Sequence, residues 1–182
     1  MKKLKLLAAL CFVQIGLGQP SPGAMNQANS DRTDTRFAKR AASSCLAEGK
    51  LGQLAQEKGL NPSVKSFGKR METDCTKVND QLSATASRDN ISLPTDVSPK
   101  DQTAYDTLSS LSGLEFDEAY AKKMVTDNQN DVAEFNREIT DGQNPDMKAF
   151  ASQALPALQN HFKLAQEVEA YVKSKAKRDG VQ

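Results

Sequence analysis

Apolar residues recur every three or four positions through most of the chain after residue 30, which places them on one face of a helix. The two clearest stripes are Val64, Phe67, Met71, Cys75, Val78, Leu82 and Phe116, Tyr120, Met124, Asn128, Val132, Phe135, Ile139. No segment shows the alternating period of a strand. The pattern therefore predicts an all-α protein.

Capping residues, prolines and glycines divide this pattern into four long helices and one short helix. The predicted elements are helix A over 31–58, helix B from Asn61-Pro62 to about Arg88, a short helix from Ser98-Pro99 to Gly113, helix C over about 115–140, and helix D from Asn144-Pro145 to about Lys177. Pro156 lies inside helix D and predicts a kink there.

The connections between the helices differ in length. The A–B and C–D turns are tight, whereas residues 89–99 form a longer irregular crossover before the short helix. This order predicts a ferritin-like four-helix bundle with a short extra helix in the B–C crossover. At 182 residues, the chain has room for one such domain.

One nine-residue pattern occurs twice, 53 positions apart, at residues 67–75 and 120–128. Each copy reads aromatic, small, basic, basic, Met, any residue, Thr, Asp and a short polar residue, which is Cys75 or Asn128. The aromatic, the Met and the polar residue share one stripe of a helix. Cys75 and Asn128 are thus each predicted to place a polar group at the end of a buried seam.

The openings of helices B and D also resemble each other. Asn61-Pro62 is followed by Phe67, and Asn144-Pro145 is followed by Phe150 at the same spacing. Duplication of a helical unit explains this similarity, and so does the common requirement of a bundle helix for a cap, a proline and an apolar anchor. Both explanations stay open at the level of sequence.

The first 18 residues have the pattern of a secretory signal peptide. Three lysines precede an apolar run of about a dozen residues, and Gly16 and Gly18 supply small residues before a cleavage point. The run is shorter than the about 20 residues that a membrane anchor needs. Residues 19–30 are polar and rich in Pro and Gly, which predicts a flexible spacer. We therefore expect a periplasmic or extracellular protein.

Charge gives little indication of a partner. The predicted signal peptide contains three of the 24 basic residues and none of the 23 acidic ones, so the remainder has a net charge of −2. This balance argues against nucleic-acid binding. The basic residues between 173 and 178 are typical of a helix C-terminus, where they complement the helix dipole.

Cys45 and Cys75 fall at the same height in the predicted A–B hairpin. When the turn is centred on Leu60, residues at equal height have numbers that sum to about 120, and these two cysteines meet that condition. A disulfide in an oxidising compartment is the favoured interpretation. Closing a loop of about 30 residues would stabilise the fold by about 3.5 kcal/mol. Two buried free thiols are the alternative.

A series of short motifs, in order, resembles the DUF4142 family over about residues 35–168. The motifs are Ala47-Glu48, Leu51-Gly52, Asn61-Pro62, Asp74-Cys75-Thr76-Lys77, Ile91-Ser92-Leu93-Pro94, Leu111-Ser112-Gly113, Phe116-Asp117, Tyr120, Leu155-Pro156 and His161. The resemblance implies a ferritin-like helical bundle that bacteria export. It implies no established biochemical activity.

The same resemblance indicates where a metal would bind. The family usually has Asp-His where this chain has Asp74-Cys75 and Asp127-Asn128, and a third His that is kept here as His161. The corresponding set in this chain is Glu48, Cys75, Asn128 and His161. Because two of three histidines are replaced, we expect no cofactor, and a divalent metal at this set is the weaker expectation.

Catalytic motifs are missing from the sequence. It has one His, no Gly-x-Ser-x-Gly and no glycine loop for phosphate, and Glu134 and Glu138 are interpreted as part of a solvated helix face. We therefore expect a non-catalytic envelope protein with a structural or interaction role and an unidentified protein partner. The alternative is a metal-binding or redox protein that uses Glu48, Cys75 and His161, linked to stress.

Overall fold

The computed structural model describes the backbone of residues 22–178 and 180, with side chains from residue 33. Its helices are α1 (Pro22–Lys58), α2 (Pro62–Arg88), α3 (Pro99–Ser109), α4 (Gly113–Asp141) and α5 (Pro145–Arg178). The described backbone contains no strand, only an isolated bridge between Gly59 and Gly113. The prediction of an all-α protein is confirmed.

Two long hairpins make up the molecule. Helices α1 and α2 pack along each other, α4 and α5 do the same, and the hairpins meet through α1 against α4 and α2 against α5. The short helix α3 lies in the crossover and touches α1 and α4. Within the described range, no helix combines the length and apolar character that crossing a membrane requires.

The start of α1 differs from the prediction. The helix begins at Pro22 and not at Asp31, so residues 22–30 of the predicted spacer are helical. Proline suits the first turn, where its missing N–H would have no helical partner, and extending a helix costs far less than nucleating one. Residues 19–21 and the predicted signal peptide, residues 1–18, lie outside the described residues.

Other boundaries follow from local chemistry. Ser98 caps α3, because its Oγ accepts the Asp101 N–H at 3.2 Å. This helix ends at Ser109, before the predicted Gly113, and Gly113 instead starts α4 with φ +60°, a conformation that glycine adopts without strain. Helix α5 continues through Pro156, which lies on its exposed side.

Two apolar clusters form the core. The first surrounds Phe67, Phe116 and Tyr120 near the α1–α2 turn, and the second surrounds Phe37, Phe135 and Phe150 near the α4–α5 turn. Each long helix contributes one or two polar residues or cysteines where the two clusters meet. This polar layer consists of Cys45 and Glu48 of α1, Cys75 of α2, Asn128 and Asp131 of α4, and His161 of α5.

The hairpins are related by an offset of 83 positions. Gly59 and Gly142 end the first helices, and Asn61-Pro62 and Asn144-Pro145 open the second ones. Each turn is held by a carboxylate from the other hairpin. Asp117 accepts the backbone N–H groups of residues 60 and 61, both at 2.9 Å, and Asp34 accepts those of residues 143 and 144 at 3.1 and 2.7 Å.

Candidate functional site

Glu48 is the centre of the polar layer between the two core clusters. Its carboxyl group accepts the Asn128 Nδ2–H at 3.1 Å and lies 3.6 Å from the Cys75 Sγ. Three different helices supply these residues, and each side chain is at most 4% exposed. The structure thus brings three of the four residues of the predicted metal set, Glu48, Cys75 and Asn128, into direct contact.

Asp131 also belongs to this layer, although neither the helix stripes nor the family resemblance points to it. Its carboxyl group interacts with that of Glu48, and its two oxygens accept the Ser44 hydroxyl at 2.8 and 2.9 Å. Glu48 and Asp131 are 83 positions apart, so the same place in each hairpin carries a carboxyl group. That offset is the signal that could have identified Asp131, whereas the 53-residue repeat pairs different helices.

Burial controls the ionisation of this layer. It raises the pKa of Glu48 well above its ordinary value, and the charge of Asp131 adds to the effect. Burial raises the pKa of Asp131 to about 7. The hydrogen bond with Cys45, followed by burial, raises the pKa of the Cys75 thiol. The layer therefore favours the protonated forms of Glu48 and Cys75.

Two polar atoms beside Glu48 have no hydrogen-bond partner among the described residues. They are the Tyr120 hydroxyl and the Asn128 Oδ1, in side chains that are 0% and 1% exposed. Burial also raises the pKa of Tyr120 well above its ordinary value, so it stays a neutral donor. The centre of the bundle thus has spare hydrogen-bonding capacity.

His161 makes its polar contact elsewhere. Its Nε2 lies 3.0 Å from Asp74 Oδ2, and Asp74 also pairs with Arg70 at 3.3 Å. Burial lowers the pKa of His161, against the opposing effect of Asp74, so the ring is neutral at pH 7. The predicted metal set is therefore divided, with Glu48, Cys75 and Asn128 together and His161 held by α2. Within the described residues, no three His, Cys, Asp or Glu side chains are grouped as a metal site.

The two cysteines line a cleft that opens to solvent beside the crossover. Cys75 is buried and Cys45 is half-buried, and both occur as free thiols that lie close enough to influence each other's ionisation. The cleft has a volume of about 490 Å³, and residues 95–97 of the crossover form one of its walls. Small oxidants or thiols thus have a route to this pair.

A larger cavity of about 760 Å³, here called the α2–α5 groove, lies on the outer side of these two helices. Its apolar floor is formed by Phe67, Leu164 and Val168, and Tyr171, which is 44% exposed, lies at its edge. Lys69 and Arg70 of α2 border the other side. No sequence pattern predicts this groove, because two helices contribute to it.

Comparison with known proteins gives one family and one solved structure. A family model described as Domain of unknown function (DUF4142) matches residues 19–168. The crystal structure of a DUF305 fragment from Deinococcus radiodurans superposes with a TM-score of 0.67 at 14% identity, over 76% of this chain and 96% of that one. No curated protein matches the chain. At this identity the likeness to the DUF305 fragment concerns the fold alone.

Proposed function

Because this chain belongs to the DUF4142 family, a domain of unknown function, we propose that it is an exported, non-catalytic bundle that binds a protein partner in the bacterial cell envelope. The observation that carries this proposal is the α2–α5 groove, which has an apolar floor, an exposed tyrosine and a charged border. Exposed tyrosine and arginine beside apolar surface are typical of protein interfaces.

The state of the polar layer supports a non-catalytic role. A nucleophile or a general base must be deprotonated and must reach its substrate. Cys75 is buried, and the pKa values of both Cys75 and Glu48 are raised, which disfavours their deprotonated forms. These groups are therefore better suited to positioning α1, α2 and α4 than to turnover.

A ferritin-like topology is the second part of the proposal. It is supported by the tight α1–α2 and α4–α5 turns, by the long crossover with α3, and by the offset of 83 positions between the hairpins. Four-helix bundles with one long crossover have this connectivity.

Export and a disulfide complete the proposal. In an oxidising compartment, Cys45 and Cys75 would form one disulfide while the disulfide of an oxidant is reduced to two thiols. Non-reducing peptide mapping of exported protein should link the two cysteine peptides. Free thiols at both positions in oxidised material would contradict this part, and a mature protein that retains Met1 would contradict export.

Binding of a partner to the α2–α5 groove is tested with a photo-cross-linking amino acid in place of Tyr171. The full chain is expressed in bacteria, and cross-linking is carried out in intact cells. The matched control places this amino acid at Gln129, an exposed position of α4. We expect position 171 to cross-link one protein that position 129 does not. The purified partner should then bind the mature chain, and Leu164→Glu in the groove floor should weaken binding at least tenfold. Equal cross-linking at both positions, or binding unaffected by Leu164→Glu, would refute the groove as the interface.

A metal-binding or redox role that uses Glu48, Cys75 and His161 is the second candidate. It is favoured by the contact of Glu48 with Cys75 next to an accessible cleft. As placed, however, the donors fit a metal poorly, because Asn128 directs its Nδ2–H at Glu48, Cys75 is a thiol and His161 is bonded to Asp74. Stoichiometric binding of zinc or copper by the mature protein, abolished by His161→Ala, would favour this candidate over the first.

A further inference from the structure

The two turns that join the hairpin helices use the same carboxylate clasp in different surroundings. Asp117 is 0% exposed and binds the α1–α2 turn, and it also accepts the Asn61 side-chain N–H. Asp34 is 3% exposed and binds the α4–α5 turn. Only Asp34 shares its site with a second carboxyl group, that of Glu138.

Glu138 lies under the α4–α5 turn. It is 3% exposed, and its side chain occupies the space next to Gly142, where a Cβ would collide with it. The Glu138 carboxyl thus lies at the same turn as that of Asp34, and its Oε1 has no hydrogen-bond partner among the described residues. Two carboxyl groups form a hydrogen bond only when one of them carries a proton, because two carboxylates have no donor. The corresponding position in the other hairpin, 83 residues earlier, is Ala55.

The charged groups around Glu138 and Asp34 do not neutralise a second carboxylate there. Glu134 of α4 and Asp34 of α1 are acidic, and Lys148 of α5 is the cation whose field reaches Glu138. From α2, Arg88 pairs with Asp146 at 3.0 Å. Asp89, just after α2, accepts the Asn144 side-chain N–H at 2.9 Å.

We propose that the protonated Glu138 carboxyl donates a hydrogen bond to Asp34 and so forms a pH-sensitive catch, which holds the α4–α5 turn closed in acid and loosens it in mild alkali. When the proton leaves, two buried carboxylates face each other, and Asp34 can no longer hold residues 143 and 144 without moving away from Glu138. The α1–α2 turn has no such pair and does not respond. The two ends of the bundle therefore respond differently to pH.

The direction of the effect follows from the ionisation of Glu138. Burial, and then the charge of Asp34, raises the pKa of Glu138 to about 7 from an ordinary value of 4.5. A carboxyl group with a raised pKa in the folded state binds more protons there than in the open state. Its contribution to stability is complete below pH 4.5 and is lost as the pH rises through about 7. Between pH 6 and 8, the closing equilibrium should weaken about tenfold.

Hydrogen exchange resolved by residue tests this catch in the full chain. After correction for the intrinsic rates, protection of the amides of Gln143 and Asn144 should fall about tenfold from pH 6 to pH 8, relative to those of Leu60 and Asn61. The second turn is the internal control, because global unfolding would expose both turns equally. Glu138→Gln keeps a donor for Asp34 without a titrating proton, so this variant should keep the ratio constant.

Parallel changes at both turns, or a Glu138→Gln variant with the same pH response, would overturn the proposal. If that variant does not fold, the carboxyl ¹³C shift of Glu138 in the unchanged chain decides the matter. A titration midpoint near 7 supports the catch, and a midpoint near 4.5 refutes it.

Discussion

The two hairpins have the same plan but achieve their packing differently. In the α1–α2 hairpin, Gly52 and Gly68 face each other so closely that a Cβ on either residue would collide with the other's carbonyl oxygen. The positions 83 residues later in the α4–α5 hairpin are Phe135 and Ala151, and Phe135 packs against Phe37 and Phe150 with ring centroids 5.0 and 5.8 Å apart. One hairpin is joined by backbone contact, and the other by an aromatic cluster.

This difference indicates which part of the sequence each hairpin depends on. A close backbone approach requires the absence of a side chain, so it is sensitive to any addition. An aromatic cluster depends on volume and on the burial of apolar surface, so it is sensitive to removal. The same topology is therefore expected to respond to mutation in opposite ways in its two halves.

The largest effect is expected from Phe135→Ala. Phe135 is 2% exposed, and its removal leaves a cavity among the rings of Phe37 and Phe150. The free energy of unfolding should fall by about 3–5 kcal/mol in urea denaturation. Phe162→Ala, at a half-buried position of α5, is the matched control and should cost less. Equal losses of unfolding free energy in the two variants would show that the aromatic cluster stabilises the fold no more than a half-buried phenylalanine does.

The next largest loss of stability is expected when a carboxylate clasp is removed. Asp117→Asn and Asp34→Asn each keep the shape of the side chain but remove a charged acceptor, and each should cost about 1.5–3 kcal/mol. The loss should be larger for Asp117, which also accepts the Asn61 Nδ2–H. Asp34→Asn should also reduce the pH dependence of the α4–α5 turn, which hydrogen exchange measures. A greater loss for Asp34→Asn would contradict this order.

Gly68→Ala tests the backbone contact. The added methyl group would meet the Gly52 oxygen and the Ala55 Cβ, so the helices must separate, at a cost of about 1–3 kcal/mol. Gly49→Ala is the control on α1, because the nearest atom to its new Cβ, in Cys75, lies at an ordinary 4.0 Å. That change should stabilise the protein by about 0.5–1 kcal/mol through helix propensity. In thermal denaturation, the melting temperature should fall for Gly68→Ala and rise for Gly49→Ala.

The sequence predicted the helices best where a local signal was strong. Asn61-Pro62 places the start of α2 correctly because a cap and a proline act within one turn. The prediction for the start of α1 is wrong. The polar composition of residues 22–30 indicates a spacer, but a long helix can extend through such residues from its packed part.

The site was predicted in part. Glu48, Cys75 and Asn128 were selected by family resemblance and by helix stripes, and they meet in the structure. The interpretation of Glu138 as a solvated residue is wrong, because this side chain is 3% exposed and faces Asp34 of a helix more than 100 residues away in sequence. A helical period defines the face on which a residue lies but not whether another element covers that face.

The reciprocal clasps have a consequence for how the chain folds. The carboxylate acceptor of each turn lies on the opposite hairpin. A hairpin that forms alone therefore leaves the backbone N–H groups of its turn without these partners. Local helix pairing is fast because it closes short loops, but the turns are completed only when the halves dock. The two halves should therefore lose their structure together, as one cooperative unit.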